Sequence, residues 1–201
     1  PMMRFFATEL ELAEATILKE KIDASPTIMW VLSGSSIHKT WPYVDTVVAR
    51  ILLTLPNAKI VTTGDGTCKL LEAPWAKEPR IITKSGEWGI RETMAFAQKC
   101  DLVIGPETGV MNAVAMESMP KIVFLSHSSN DNLTRDWENT YAMYSHQTPC
   151  YPCHMLHYKW DSCHQGKKTG AAQCQEDISA DAVWHAVVAA LGVGEQLERA
   201  A

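Results

Sequence analysis

Short apolar runs alternate with helix-length segments along the first 125 residues, and this alternation is the feature that most constrains the fold. Each run is apolar at nearly every position, which is typical of strands buried on both faces of a parallel sheet. The intervening segments would form helices that cover the sheet on both sides. The runs occupy residues 27–32, 59–63, 80–83, 102–104 and 121–125. The pattern predicts a doubly wound, Rossmann-like α/β fold with ligands at the carboxyl ends of the strands.

Apolar spacing and end signals locate the helices. Residues 8–22 are predicted to be helical. The side of this helix expected to pack against the sheet carries Leu10, Leu12, Ala13, Ile17 and Leu18. Pro42 lies in a plausible first helical turn. A C-terminal helix over residues 179–192 has Ser179 as a suitable N-cap and Gly192 as a suitable C-cap.

Length and charge limit the classes of protein. The 201 residues fit one domain, residues 1–201, and a net charge of −5 without a basic stripe argues against a nucleic-acid binder. No apolar run reaches the roughly 18 residues that span a bilayer, and no signal-peptide pattern is present, so we expect a cytoplasmic protein without a transmembrane segment. Because the chain opens at Pro1 in an amphipathic stretch, we also expect further sequence upstream.

Residues 126–176 form an insert rich in Ser, Asn, His, Trp and Cys, with no sustained period. It is too long for an ordinary connection, so it is functional, metal-stapled or mobile. Four of its cysteines, with His154, His157 and His164 between them, have a spacing that favours a structural zinc site, although disulfides or free thiols remain alternatives. These cysteines are Cys150, Cys153, Cys163 and Cys174. A closed set of four ligands leaves no open position for catalysis by zinc.

The segment over residues 101–116 joins an apolar strand, a Gly-Pro turn and a helix that begins near Thr108 and Gly109. The first N–H groups of a helix have no intrahelical partner, and the helix dipole favours an anion there. The segment therefore predicts a seat for nucleotide phosphate.

The loop after the first strand offers hydroxyl groups and a cation at the same edge of the sheet. Ser35 and Ser36 supply hydroxyls, and Lys39 supplies a point charge suited to phosphate. A lone lysine could equally be a solvated surface residue, but its place at the carboxyl end of a strand favours the phosphate interpretation.

Two further loops leave alternatives open. Asp65, between Gly64 and Gly66, could accept hydrogen bonds from a ribose hydroxyl or could cap a helix. Trp88 could lie beside a nucleobase or could cover the following helix.

Together these loops resemble the heptosyltransferase family of glycosyltransferases, specifically the carboxyl-terminal, donor-binding half of its GT-B fold. Residues 33–35 (Ser-Gly-Ser) and 39–42 (Lys-Thr-Trp-Pro) match the loop after that family's first strand, apart from a leading Pro. Residues 63–64 match its Thr-Gly. Residues 105–116 align with its Gly-x-Asp-Thr-Gly-x-x-His-x-Ala-x-Ala segment. Many members also carry a Cys-x-Pro-Cys segment followed by two cysteines, similar to the four named above.

The chain departs from this pattern at two positions. Glu107 stands where the family usually has Asp, which keeps the charge and lengthens the side chain. Asn112 stands where it usually has His, which removes a titratable group but retains a hydrogen-bond donor. Asn112 could equally be a polar residue on a helix face.

The resemblance implies inverting transfer of a sugar from a nucleotide diphosphate, typically ADP-heptose, to a lipopolysaccharide or other glycan acceptor. It implies no catalytic cofactor, a catalytic base in an amino-terminal domain outside this chain, and contact with a membrane only through the full-length protein. The alternatives are a noncatalytic nucleotide-sugar-binding module and a zinc-stapled interaction domain. The residues expected to bind the donor are Ser35, Ser36, Lys39, Gly64, Asp65, Glu107, Thr108, Gly109 and Asn112.

Overall fold

The computed structural model describes residues 4–34, 36–155 and 163–194, and it contains one sheet of six parallel strands. The strand order is β3-β2-β1-β4-β5-β6. The strands are β1 (Thr27–Val31), β2 (Lys59–Thr63), β3 (Ile81–Thr83), β4 (Leu102–Pro106), β5 (Lys121–Phe124) and β6 (Thr140–Met143). Strands β1 and β4 pair with each other in the middle of the sheet. The strand order changes direction there, because β2 and β3 lie on the side of β1, whereas β5 and β6 lie on the side of β4. The predicted Rossmann-like fold is confirmed.

Helices cover both faces of the sheet. They are α1 (Glu9–Ile22), α2 (Val44–Thr54), α3 (Lys69–Glu72), α4 (Ile90–Ala97), α5 (Gly109–Ala113), α6 (Gln173–Glu176) and α7 (Ala180–Leu191). Alternate residues of β1 point to opposite faces. Trp30 packs with α2 and α7, and Met29 packs with α1 and α4. No helix in the described part of the chain is both long and apolar enough to cross a membrane.

A buried aromatic stack fixes the segment between β1 and α2. The Trp41 ring lies 4.8 Å from the Phe124 ring and 6.2 Å from the Trp30 ring, nearly parallel to both. Its indole Nε1 donates a hydrogen bond of 2.9 Å to the carbonyl of Ile178, just before α7. The loop that carries Lys39 is therefore held by the core.

The predicted apolar face of α1 is wrong in part: Leu18 packs against the core, but other residues of that face do not. Leu10 and Ile17 are 67% and 50% exposed, whereas Ala15 and Ile22 are buried. Because α1 carries apolar residues around most of its circumference, their spacing alone does not decide which side meets α4.

The insert contains regular structure that the sequence did not indicate. Strand β6 pairs with β5, and a π-helical turn covers Asn130–Thr134. All four residues of β6 are partly exposed, because this strand forms the edge of the sheet. A half-exposed, mixed sequence of four residues gives no continuous apolar run, so the pattern that identified the other strands missed it. Helix α7 has the two caps expected for it: Ser179 Oγ accepts from the Ala182 N–H, and Gly192 has a positive φ of 65°.

Candidate functional site

A cavity of about 580 Å³ lies at the carboxyl ends of β1, β2 and β4, where the strand order reverses. This is the place where doubly wound sheets bind ligands. Seven residues expected to bind the donor line it: Lys39, Gly64, Asp65, Glu107, Thr108, Gly109 and Asn112.

Lys39 lies in a 3₁₀ turn (Ile37–Lys39) and reaches across the end of β1 to β4. Its Nζ donates a hydrogen bond of 2.9 Å to the carbonyl oxygen of Glu107. Burial lowers the pKa of Lys39, and the charge of Glu107 partly opposes this. An ammonium group has three donors, so two N–H groups remain for a ligand in the cavity.

Gly34 makes room for this lysine. A Cβ atom at position 34 would lie 2.8 Å from Lys39 Cδ and 3.0 Å from Thr108 Cγ2. Both distances are shorter than ordinary carbon contacts. The absence of a side chain at Gly34 therefore lets Lys39 and Thr108 approach each other at the rim of the cavity.

The Glu107 carboxylate holds the loop after β5. Its side chain is 2% exposed, and its oxygens accept hydrogen bonds from the backbone N–H groups of Ser126 (2.9 Å), His127 (2.8 Å) and Ser128 (3.1 Å) and from the Ser126 hydroxyl. Burial raises the pKa of this carboxyl, but these hydrogen bonds outweigh burial, and the pKa lies below its ordinary value. The structure shows the Glu107 carboxylate bound to this loop, and its expected contact with the donor stays a prediction.

His127 contacts both this carboxylate and the cavity. Its Nδ1 lies 2.6 Å from Glu107 Oε1, and its side chain is 22% exposed. Burial lowers the pKa of His127, and the nearby Lys39 and His154 side chains lower it further, while Glu107 raises it.

The start of α5 lines the cavity next to Lys39. Thr108 Oγ1 accepts a hydrogen bond of 3.4 Å from the Met111 N–H, and the Thr108 carbonyl accepts one of 3.0 Å from Asn112. The Asn112 side chain is exposed toward the cavity and has no hydrogen-bond partner among the residues described. Helix α5 has only five residues, so it contributes local N–H donors rather than a long dipole.

The end of β2 forms the third wall. Gly64 packs against Cys68, whose Sγ would lie 2.4 Å from an added Cβ. Asp65 caps the turn over Gly66–Cys68: its Oδ1 accepts from the N–H groups of Thr67 (2.9 Å) and Cys68 (3.2 Å). Hydrogen bonding from Thr67 lowers the pKa of Asp65. The capping interpretation is thus observed, and the contact with ribose stays a prediction.

The two serines of the first loop differ from Lys39 in placement. Ser36 is not among the residues that line the cavity; its Oγ accepts a hydrogen bond of 3.4 Å from the His38 N–H in the turn that carries Lys39. Ser35 lies outside the described residues.

Several residues of the cavity were not assigned to it from the sequence. These are Ser33, His127 and Ser128. Trp88, for which the sequence left two interpretations, lines the cavity and also packs edge-on against Phe96 of the following helix at 5.0 Å, and its contact with a nucleobase stays a prediction. His127 and Ser128 directly follow β5, which neighbours β4, so the rule that ligands bind at strand carboxyl ends could have found them.

The cysteines of the insert form no disulfide. Burial and the nearby Cys150 and Cys153 raise the pKa of Cys163, and burial and nearby thiols raise the pKa of Cys174 to about 12. The four thiols therefore lie within electrostatic range of one another. Within residues 4–34, 36–155 and 163–194, no three His, Cys, Asp or Glu side chains are arranged to hold a metal ion. His157 lies outside these ranges.

Neither protein-family models nor curated proteins give a match to the sequence. Solved structures do match the fold of this chain. The E. coli ADP-heptose lps heptosyltransferase II matches 97% of this chain and 56% of its own with a TM-score of 0.68 and 16% identity. A family 9 glycosyl transferase from Veillonella parvula matches 94% and 53% with a TM-score of 0.67 and 14% identity.

A third structure is the dodecameric iron-containing heptosyltransferase TibC, solved with ADP-D-beta-D-heptose. It matches 89% of this chain and 48% of its own, with a TM-score of 0.57 and 13% identity. The chain spans about half the length of these enzymes. Similarity at these identities concerns the fold, and the chain has a heptosyltransferase-family fold over that half.

Proposed function

We propose that this chain is the donor-binding half of a glycosyltransferase that takes a sugar, heptose-like, from a nucleotide diphosphate. The observation that carries the proposal is the buried Lys39 ammonium at the point where the strand order reverses, in a fold shared with heptosyltransferases. The acceptor is a lipopolysaccharide or another glycan, and the anomeric configuration is inverted.

The chemical demand on this half is to stabilise negative charge on the departing diphosphate. Lys39 would supply a positive charge, and the N–H groups at Thr108 and Gly109 would supply donors fixed in place by α5. Fixed donors stabilise developing charge more effectively than mobile water because they need no reorganisation during the reaction. We propose that the catalytic base and the acceptor site belong to a second domain, amino-terminal to this one.

The proposal predicts that Lys39→Met weakens the binding of nucleoside diphosphates. A hydrogen bond to a charged group contributes about 1.5–3 kcal/mol, so the affinity should fall roughly 10-fold or more. Titration calorimetry with ADP, UDP and GDP measures this. The matched control is Lys77→Met, because Lys77 is exposed and remote from the cavity.

Three outcomes separate the candidate functions. A noncatalytic nucleotide-sugar module, which Asn112 in place of the usual His would suit, binds a nucleotide but shows no transfer even when joined to an amino-terminal domain. An interaction domain binds none of the three nucleotides. Sugar transfer from ADP-heptose by the two-domain polypeptide supports the transferase.

We further propose that Cys150, Cys153, Cys163 and Cys174 hold a structural metal ion, with zinc the ion that four thiolates favour. Two observations support it: besides burial, the neighbouring thiols raise the pKa of Cys163 and of Cys174, and the four cysteines form no disulfide. A divalent cation would offset this mutual repulsion. One structural neighbour is described as iron-containing, so iron must be measured beside zinc.

A further inference from the structure

A short polar contact at the cavity joins His127 to Glu107. Besides the 2.6 Å approach of Nδ1 to Oε1, the same carboxylate accepts the His127 backbone N–H at 2.8 Å. The ring and its backbone are therefore fixed by one buried group. The position of the carboxylate is itself fixed, because the backbone N–H groups of Ser126 and Ser128 also donate to it.

This contact decides which nitrogen can meet a ligand. A carboxylate only accepts hydrogen bonds at neutral pH, so Nδ1 must carry a proton. Nε2 is then the one ring nitrogen left, and it has no hydrogen-bond partner among the described residues. The ring lines the same cavity as Lys39 and Thr108.

The charges that face His127 come from three elements. Glu107 at the end of β4 favours a protonated ring, whereas Lys39 in the loop after β1 and His154 in the insert oppose it. The His154 N–H also donates to the His127 carbonyl at 2.9 Å, which keeps these two residues adjacent. An anion beside Lys39 would offset the repulsion between these cations and favour a second proton on the ring.

We propose that His127 is a phosphate-binding residue: it takes a proton from solvent when a nucleoside diphosphate enters and donates from Nε2 to a phosphate oxygen. Glu107 is the positioning residue that holds Nδ1. This inference rests on the proposed nucleotide site and adds to it a second cation in the cavity that Lys39 lines.

Two substitutions of similar size test the assignment. In His127→Gln the amide nitrogen can take the place of Nε2, whereas in His127→Asn the amide takes the place of Nδ1 and nothing reaches the phosphate. We expect His127→Asn to weaken binding of ADP, UDP or GDP, whichever binds wild type best, roughly 10-fold or more at pH 6. His127→Gln should retain most of the affinity. The exposed His185→Asn is the control and should match wild type.

Proton uptake gives a second measurement. Wild-type affinity should increase as the pH falls from 8 to 6 by more than that of His127→Gln, which keeps a donor but cannot titrate. Subtracting the His127→Gln profile removes the titration of the nucleotide itself. Thermal melting shows that each variant is folded.

The positioning role of Glu107 is tested by ring ¹⁵N NMR of His127 in Glu107→Gln. Loss of the protonated Nδ1 signal supports it, and an unchanged ring spectrum in the folded variant overturns it. Equal nucleotide affinity in wild type and His127→Asn overturns the phosphate contact while the nucleotide site stands. If wild type binds no nucleoside diphosphate, both this inference and the proposed function fail.

Discussion

At the scale of single residues, the site depends on where side chains are absent as much as on where they are present. Gly34 leaves the space through which Lys39 passes to the Glu107 carbonyl. From the sequence, Gly34 was only part of the Ser-Gly-Ser match over residues 33–35, and that match did not indicate that the chain's own lysine uses the space.

Substituting Gly34 therefore tests the placement of Lys39. In Gly34→Ala the new methyl group would displace the lysine side chain, and we expect nucleoside diphosphate affinity to fall roughly 10-fold, since the lost contact involves a charged group. Calorimetric titration measures the affinity. Gly66→Ala is the matched control, because an added Cβ there meets nothing within 4 Å. Equal affinities for the two variants would contradict the steric role of Gly34.

At the scale of secondary-structure elements, a buried lysine stabilises the connection that leads from α5 into β5. The Lys121 side chain is fully enclosed, and its Nζ donates to the carbonyl oxygens of Glu117 (2.6 Å) and Met119 (2.8 Å) in the connection from α5. Burial lowers the pKa of Lys121 to about 8, although Glu138 and Glu117 favour the charged form. An ionisable group thus holds the connection between α5 and β5 in place.

This lysine gives the stability a defined pH dependence. Between pH 8 and about 10.5 the unfolded chain retains the Lys121 proton that the folded chain releases, so the lysine's contribution to stability rises with pH. Relative to Lys121→Met, wild type should gain up to about 3 kcal/mol of unfolding free energy across this window. Denaturant unfolding at several pH values measures it. Parallel curves for the two proteins would refute the assignment, and Lys77→Met should follow wild type.

Strands with a continuous apolar run could be predicted from the sequence, and the strand without one could not. The four inner strands are recognisable because both faces are buried, and the edge strand β3 still shows an apolar Ile81-Ile82 pair, whereas β6 at the other edge has a mixed sequence. Lys39, Gly64 and Thr108 were assigned to the cavity from their positions after strands. The pairing of Glu107 with His127 joins residues 20 positions apart across two strands, and no local spacing encodes such a contact.

At the scale of the whole molecule, the insert extends the sheet and then returns to it. Its last part, Gln173–Glu176, leads directly into α7, and the Gln175 side chain donates to the Leu125 carbonyl at the end of β5. The cysteine-bearing segment is therefore anchored to the domain at both ends.

Metal analysis tests the role of this segment in stability. We expect about one zinc or iron per chain, lost in Cys163→Ser and in Cys174→Ser, and we expect chelation to lower the melting temperature of wild type but not of these variants. Cys100→Ala is the control, because Cys100 lies in the core before β4. Full metal content in both serine variants would exclude the site.

The indole hydrogen bond from Trp41 to Ile178 has a consequence for any shortened version of this domain. It connects the turn bearing Lys39 to a backbone position beyond the insert, some 137 residues later in the chain. Truncating the chain before Ile178 would leave this buried donor unsatisfied in the segment that carries Lys39. The backbone just ahead of the carboxyl-terminal helix thus supports a pocket that it does not line.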